Sequence, residues 1–143
     1  MPTDTLCARL VVVARNNMAQ LEAIVASLQE AERVDIEAWG DHPSFRVNGK
    51  NFVFCDGDAR HLSLKLSKEE AEAVVATDSR VEPAGYGLGR HGWISFELDA
   101  DAHADAEQVR QVEEWVRTSY TLVAPRRLAK VVLEQDAGRA GDD

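Results

Sequence analysis

Apolar positions recur at helical spacing over Leu21, Ile24, Val25 and Leu28. This predicts an amphipathic helix with Asn17 as N-cap, Gln20 three residues on, and an end near Glu32. Trp39-Gly40 then opens a loop. Residues 44–47 and 51–55 read as strands flanking Asn48-Gly49, the dipeptide suited to a type I′ hairpin because both central residues need positive φ. That two-residue loop would set Phe45 opposite Phe52 and Arg46 opposite Asn51. Asp56-Gly57-Asp58 is the next turn, and residues 62–66 alternate, Leu against Ser63 and Lys65.

Ser67-Lys68-Glu69-Glu70 reads as a capped helix start, with Glu70 closing a capping box, and Ala71, Val74 and Val75 on the buried side. Residues 85–92 form a glycine-rich connection, and residues 93–98 a strong strand with Ile94, Phe96 and Leu98 pointing inward. A long amphipathic helix opens near Asp105 and carries Val109, Val112, Val116 and Tyr120 on its core face. Pro125 restarts a short helix over residues 126–133. The order is helix, three strands, helix, one or two strands, then two helices. It predicts an α+β domain of two layers, an antiparallel sheet with helices packed on one face. The domain is expected over residues 17–133. Residues 1–16 would be a leader or helix extension, and residues 134–143 an acidic flexible tail.

Alternation assigns faces. If Phe45, Phe52, Phe54, Leu62, Leu64, Ile94 and Phe96 face the helices, the opposite face carries Arg46, Asn51, Val53, Cys55, Ser63, Lys65, Trp93 and Ser95. Trp39, His42, Tyr86, Arg90 and His91 would fringe it from loops. Cations beside aromatic rings suit an anionic or planar ligand. The plainer reading is a hydrated sheet face for Arg46 and Lys65, packing roles for Trp39 and Trp93, and a turn role for His42 before Pro43. It is weighed beside the first.

Composition narrows the classes. The chain has 143 residues and a formal net charge of −9, so the molecule as a whole repels polyanions. The charge is segregated, however: residues 97–114 hold seven acids and one base, whereas residues 115–133 hold four bases and no acid. A local basic patch can therefore coexist with an acidic body. Two cysteines, Cys7 and Cys55, are too few for a disulfide framework, and no apolar run reaches the length of a membrane span; we read a cytoplasmic protein with no membrane partner.

His61, His91 and His103 lack metal-ligand spacing, so no metal or cofactor is expected. Gly85-x-Gly87-x-Gly89 departs from the dinucleotide and P-loop patterns. The acidic run from Glu97 lacks the glycine and terminal glutamate of a calcium loop. No nucleophile–base set stands out, and no catalytic residue is named.

Several motifs occur in order: Trp39-Gly-x-His-Pro-x-Phe-Arg-Val-x-Gly-Lys50, Leu62-Ser-Leu-Lys65, Gly85-Tyr-Gly, Gly92-Trp93 and Leu122-Val-Ala-Pro-x-Arg127-Leu. Together they resemble the MmcQ/YjbR family over residues 17–133. The resemblance implies a two-layer fold of the secretion-chaperone-like or frataxin-like kind. It also implies DNA binding by a "double wing" of β-hairpins, a label inferred for a family mostly without assigned biochemistry.

The motif positions are Trp39, His42, Phe45, Arg46, Lys50, Lys65, Tyr86, Trp93, Pro125 and Arg127; the face analysis adds Arg90 and Arg126 as candidates for ligand or nucleic-acid contact. Three readings follow: nucleic-acid binding through the hairpin and basic face, a protein- or peptide-binding module without enzymatic activity, and a small-molecule site at Trp39, His42, Lys65 and Trp93. The first leads through the resemblance and the last trails. A monomer is slightly ahead of an oligomer.

Overall fold

The computed structural model describes residues 16–36, 42–85 and 88–141. Among these residues four α-helices, α1 (Asn17–Ala26), α2 (Lys68–Thr77), α3 (Ala106–Val123) and α4 (Arg126–Gly141), accompany six strands. The strands are β1 (Ala31–Ile36), β2 (His42–Val47), β3 (Lys50–Cys55), β4 (His61–Lys65), β5 (Val81–Pro83) and β6 (Trp93–Glu97). All pair antiparallel in one sheet of order β1-β2-β3-β4-β6-β5. The α+β architecture is the expected one. α3 crosses the sheet over β3 and β4, and buries Val112, Trp115, Val116 and Tyr120 against it.

Local chemistry explains most boundaries. Asn48 and Gly49 have φ of 53° and 77°, as a type I′ turn requires. Ser67 caps α2 by accepting from the Glu70 N–H at 3.1 Å, and Asp105 caps α3 by accepting from Glu107 and Gln108. Pro125, which has no N–H to donate, separates α3 from α4; its carbonyl accepts from Leu128 and Ala129.

Four expectations are corrected. The cap of α1 is Asn16, one residue earlier than expected, accepting from Ala19 N–H at 2.8 Å. The helix stops at Ala26, not Glu32, and residues 31–36 form β1. Gln29, Glu30, Ala31 and Glu32 favour helix locally, but tertiary contacts override propensity. The Tyr120 hydroxyl donates to the Gln29 carbonyl at 2.7 Å, Arg127 pairs with Glu30 at 2.8 Å, and Glu30 takes a φ of 61°. The last helix continues past Leu133 to Gly141.

The fourth correction concerns faces. β2 and β3 pair Phe45 with Val53 but Arg46 with Asn51, so Phe52 is an extra residue, a β-bulge that bends the strand and breaks alternation. Phe52 and Val53 both turn to the helices, each fully buried, and Phe52 meets the Tyr120 ring edge-on at 5.6 Å. Downstream, the frame is flipped. Cys55 joins the core and Phe54 goes to the outer face, opposite to the simple alternation.

Burial, with the Asp56 carboxylate beside it, pushes the Cys55 thiol up to about 12. In a Cys7→Ser chain, Cys55 should therefore react with a thiol reagent at pH 8 at least about 1,000-fold more slowly than an exposed cysteine. Time-resolved labelling checks this; fast labelling of the folded protein would contradict it.

Candidate functional site

Two rows of side chains cross the sheet. On the helix side stand Phe45, Val53, Leu64 and Ile94, paired in sequence across β2, β3, β4 and β6. On the outer side one row crosses all six strands: Val34, Ser44, Phe54, Ser63, Ser95 and Glu82. The outer face is thus mostly hydroxyls flanking an aromatic. Ser63 and Ser95 share a hydrogen bond of 2.7 Å, and Ser44 donates to the Val34 carbonyl at 3.2 Å. Ser44 is fully buried and Ser95 nearly so.

The register also sorts charge. The β2–β3 hairpin turns at Asn48-Gly49, and Lys65 and Trp93 are opposite one another at the same end of the sheet. Arg46, Lys50, Lys65 and Trp93 therefore gather at the hairpin end, with Arg90 in the 3-10 turn Leu88–His91 just before β6. Arg127 reaches this end from the helix layer through Glu30, which precedes the residue paired with Val47, and Arg126 adjoins it. Asp35, Asp56, Asp58, Glu97, Asp99 and Asp101 belong to the strand ends and turns at the opposite end. Several cations thus gather at the hairpin end and several acids at the other, although Glu32 stands directly across from Arg46 and Arg60 lies beside Leu98 among the acids.

Individual geometry refines the candidates. Arg46 Nε donates to Asn51 Oδ1 at 2.7 Å, which aims the half-buried guanidinium along the hairpin. Lys50 is exposed beside the turn and Lys65 is half-buried. Trp93, 9% exposed, packs against Phe54 with ring centroids 5.5 Å apart, so most of the indole is covered. Arg126 and Arg127 are exposed, but the bidentate pair with Glu30 already engages Arg127 and holds the Glu30 carboxyl below the ordinary range.

The backbone of His42 lies at the far end of β2, opposite Ile36, four residues along the strand from Arg46. A joint site of His42, Lys65 and Trp93 is not formed at one place. The candidates Trp39 and Tyr86 lie outside the described residues.

Sequence reasoning missed Ser119. This buried α3 hydroxyl donates to the Phe52 carbonyl at 2.6 Å and accepts from Lys65 N–H at 3.0 Å. It fills the place of a direct ladder bond between β3 and β4 where the bulge opens the sheet, and so fixes the backbone beneath Lys65. Mid-helix serine signals little by itself, and only the bulge gives it two partners.

Two clefts lie in the helix layer. One, lined by Asn17, Leu21, Leu62, Ala102 and His103 among others, is an open cleft of about 280 Å³ counting the solvent at its mouth. Asn17 there donates to the Asp99 carbonyl and accepts from the His103 backbone N–H, both at 2.9 Å, and its Oδ1 faces His103 Nδ1 at 3.1 Å. Oδ1 can only accept, so Nδ1 carries the proton. None of the sequence candidates lines either cleft. Among the described residues no cluster of His, Cys, Asp and Glu has metal-binding geometry, and no helix is long and apolar enough to cross a membrane.

Comparison with known proteins agrees with this architecture. A Deinococcus radiodurans protein, DR2400, which carries the domain DUF419, has a crystal structure similar to this chain at a TM-score of 0.57. The two are 21% identical, and the similarity covers 78% of this chain and 84% of that one. No curated protein matches. The YjbR family model matches residues 26–122, a span that runs from the end of α1 through the sheet and most of α3, and the chain belongs to the YjbR family.

Proposed function

We propose that this YjbR protein binds nucleic acid through the hairpin end of its outer sheet face. The observation that supports the reading is the register, which collects Arg46, Lys50 and Lys65 at one end of the sheet, with Glu32 across from Arg46, while Asp35, Asp56, Asp58 and Glu97 stand at the other. Arg90 and Arg126 stand at the same end. A protein with net charge −9 can approach a polyanion only with this end foremost, so the polarity orients the encounter as well as holding the complex. The contacts are to phosphate and carry no base readout of their own. Trp93 and Phe54 serve as the packed floor that holds Lys65 and the hairpin in place.

The test is an anisotropy titration with labelled single- and double-stranded DNA at low and at physiological salt. With about five phosphates neutralised, the log–log salt slope is about −4.5, and Lys50→Ala and Lys65→Ala each flatten it by about 0.9. Absence of binding even at low salt, or binding that ignores salt, overturns the reading. The second reading, a protein- or peptide-binding module, draws support from the β1 edge, which pairs with β2 alone among the described residues, since extended segments add to exposed sheet edges by main-chain hydrogen bonding. In both readings the protein binds without catalysing a reaction and works in the cytoplasm. The elevated Cys55 thiol and the mutually bonded Ser63 and Ser95 hydroxyls fit structural roles, not those of nucleophiles.

A further inference from the structure

The two edges of the sheet are built differently. β5 has three residues and ends at Pro83, which has no N–H to offer, so this edge is blunted against pairing. β1 has six residues, Ala31–Ile36, and among the described residues it pairs with β2 on one flank and stands last in the strand order. Glu32, Arg33 and Asp35 are exposed, and Val34 is half-buried. Charges on an edge strand ordinarily repel a second strand. Here their order has a symmetry that does the reverse.

We propose that β1 is a self-association edge, on which a second copy of this chain pairs its own β1 antiparallel about Val34. In that register Val34 faces Val34 at the two-fold axis, Arg33 faces Asp35 of the second copy, and Asp35 faces Arg33. Oppositely charged residues directly across an antiparallel pair attract, and like charges repel. Neighbouring registers lose this. Centring on Arg33 sets Arg33 against Arg33, centring on Asp35 sets Asp35 against Asp35, and the half-step between Arg33 and Val34 sets Glu32 against Asp35. The contact is isologous and closes as a dimer.

One further observation agrees with it. Arg33 already lies between two carboxylates, Glu22 of α1 at 3.2 Å and Asp35 at 3.0 Å, so its guanidinium is held at the strand where a third would arrive. The twelve strands would form one continuous sheet.

Sedimentation equilibrium of the full chain tests the proposal. The expected result is a species of twice the 15.8 kDa chain mass at about 100 µM. Arg33→Asp and Asp35→Arg should each weaken self-association at least tenfold. Mixed in equal amounts they should form a heterodimer, since one chain then presents two acids and the other two bases. A wild-type monomer at that concentration, or a mixture no more associated than its components, overturns the proposal.

Crosslinking reads the register even if a charge variant unfolds. In a Cys7→Ser chain, Val34→Cys should oxidise to a covalent dimer, because opposed residues have Cβ atoms about 5 Å apart, whereas Glu32→Cys should stay monomeric. Equal crosslinking at both positions, or at neither, would rule this register out.

Discussion

Replacing Gly92 by alanine should destabilise the fold more than any other single methyl addition at the glycines described above. Gly92 has a φ of +92°, and a Cβ there would collide with the Leu66 carbonyl oxygen. That carbonyl cannot retreat, because the Leu66 N–H donates to the Gly92 carbonyl at 2.9 Å and binds the two backbones together. The added methyl must break this contact or push β6 from β4, and the residue must also hold a conformation that costs an L-amino acid about 1–3 kcal/mol. A loss of at least about 4 kcal/mol follows, or a melting midpoint lower by on the order of 10 °C. Gly57→Ala is the control. It meets nothing within 4 Å and has no positive φ, so it should change stability by less than about 1 kcal/mol. Urea denaturation of both variants checks the contrast, and equal losses would show that the close approach does not matter.

The same position shows where sequence reading stops. Residues 85–92 contain four glycines, and nothing local marks the last of them, because the obstacle is the carbonyl of a residue on another strand. The turn at Asn48-Gly49 and the caps at Ser67 and Asp105 were legible because their chemistry is complete within four residues. β1 was not: its sequence favours helix, and only Tyr120, Arg127 and the pairing partner β2 convert it.

The outer face was legible in part. Arg46, Asn51, Ser63, Lys65, Trp93 and Ser95 lie on the predicted side, since β2, β4 and β6 keep period two and Asn51 precedes the bulge in β3. Val53, Cys55 and Phe54 exchange sides because the bulge at Phe52 adds one residue to one strand. Family membership was legible because its motifs follow the turns and strand ends, which are also the places where these cations stand.

Ser119→Ala should cost about 2–4 kcal/mol, far more than removal of one hydroxyl from a surface helix. The hydroxyl bridges two buried backbone groups, the Phe52 carbonyl and the Lys65 N–H, so its deletion strands both a donor and an acceptor. The sheet cannot heal the gap by direct pairing without drawing β3 and β4 together. The bulge at Phe52 opposes that, because Phe52 is fully buried against Tyr120. Ser63→Ala, which leaves only the Ser95 hydroxyl to find another partner, should cost less than about 1 kcal/mol. The larger variant should also disturb the basic end of the sheet, because Lys65 loses the bond that fixes its backbone. Amide exchange at Lys65 should therefore quicken more than the global stability loss alone predicts. If Ser119→Ala proved as mild as Ser63→Ala, the hydroxyl would not be the link between α3 and the two strands, and the positioning of Lys65 would have to come from the β4–β6 pairing alone.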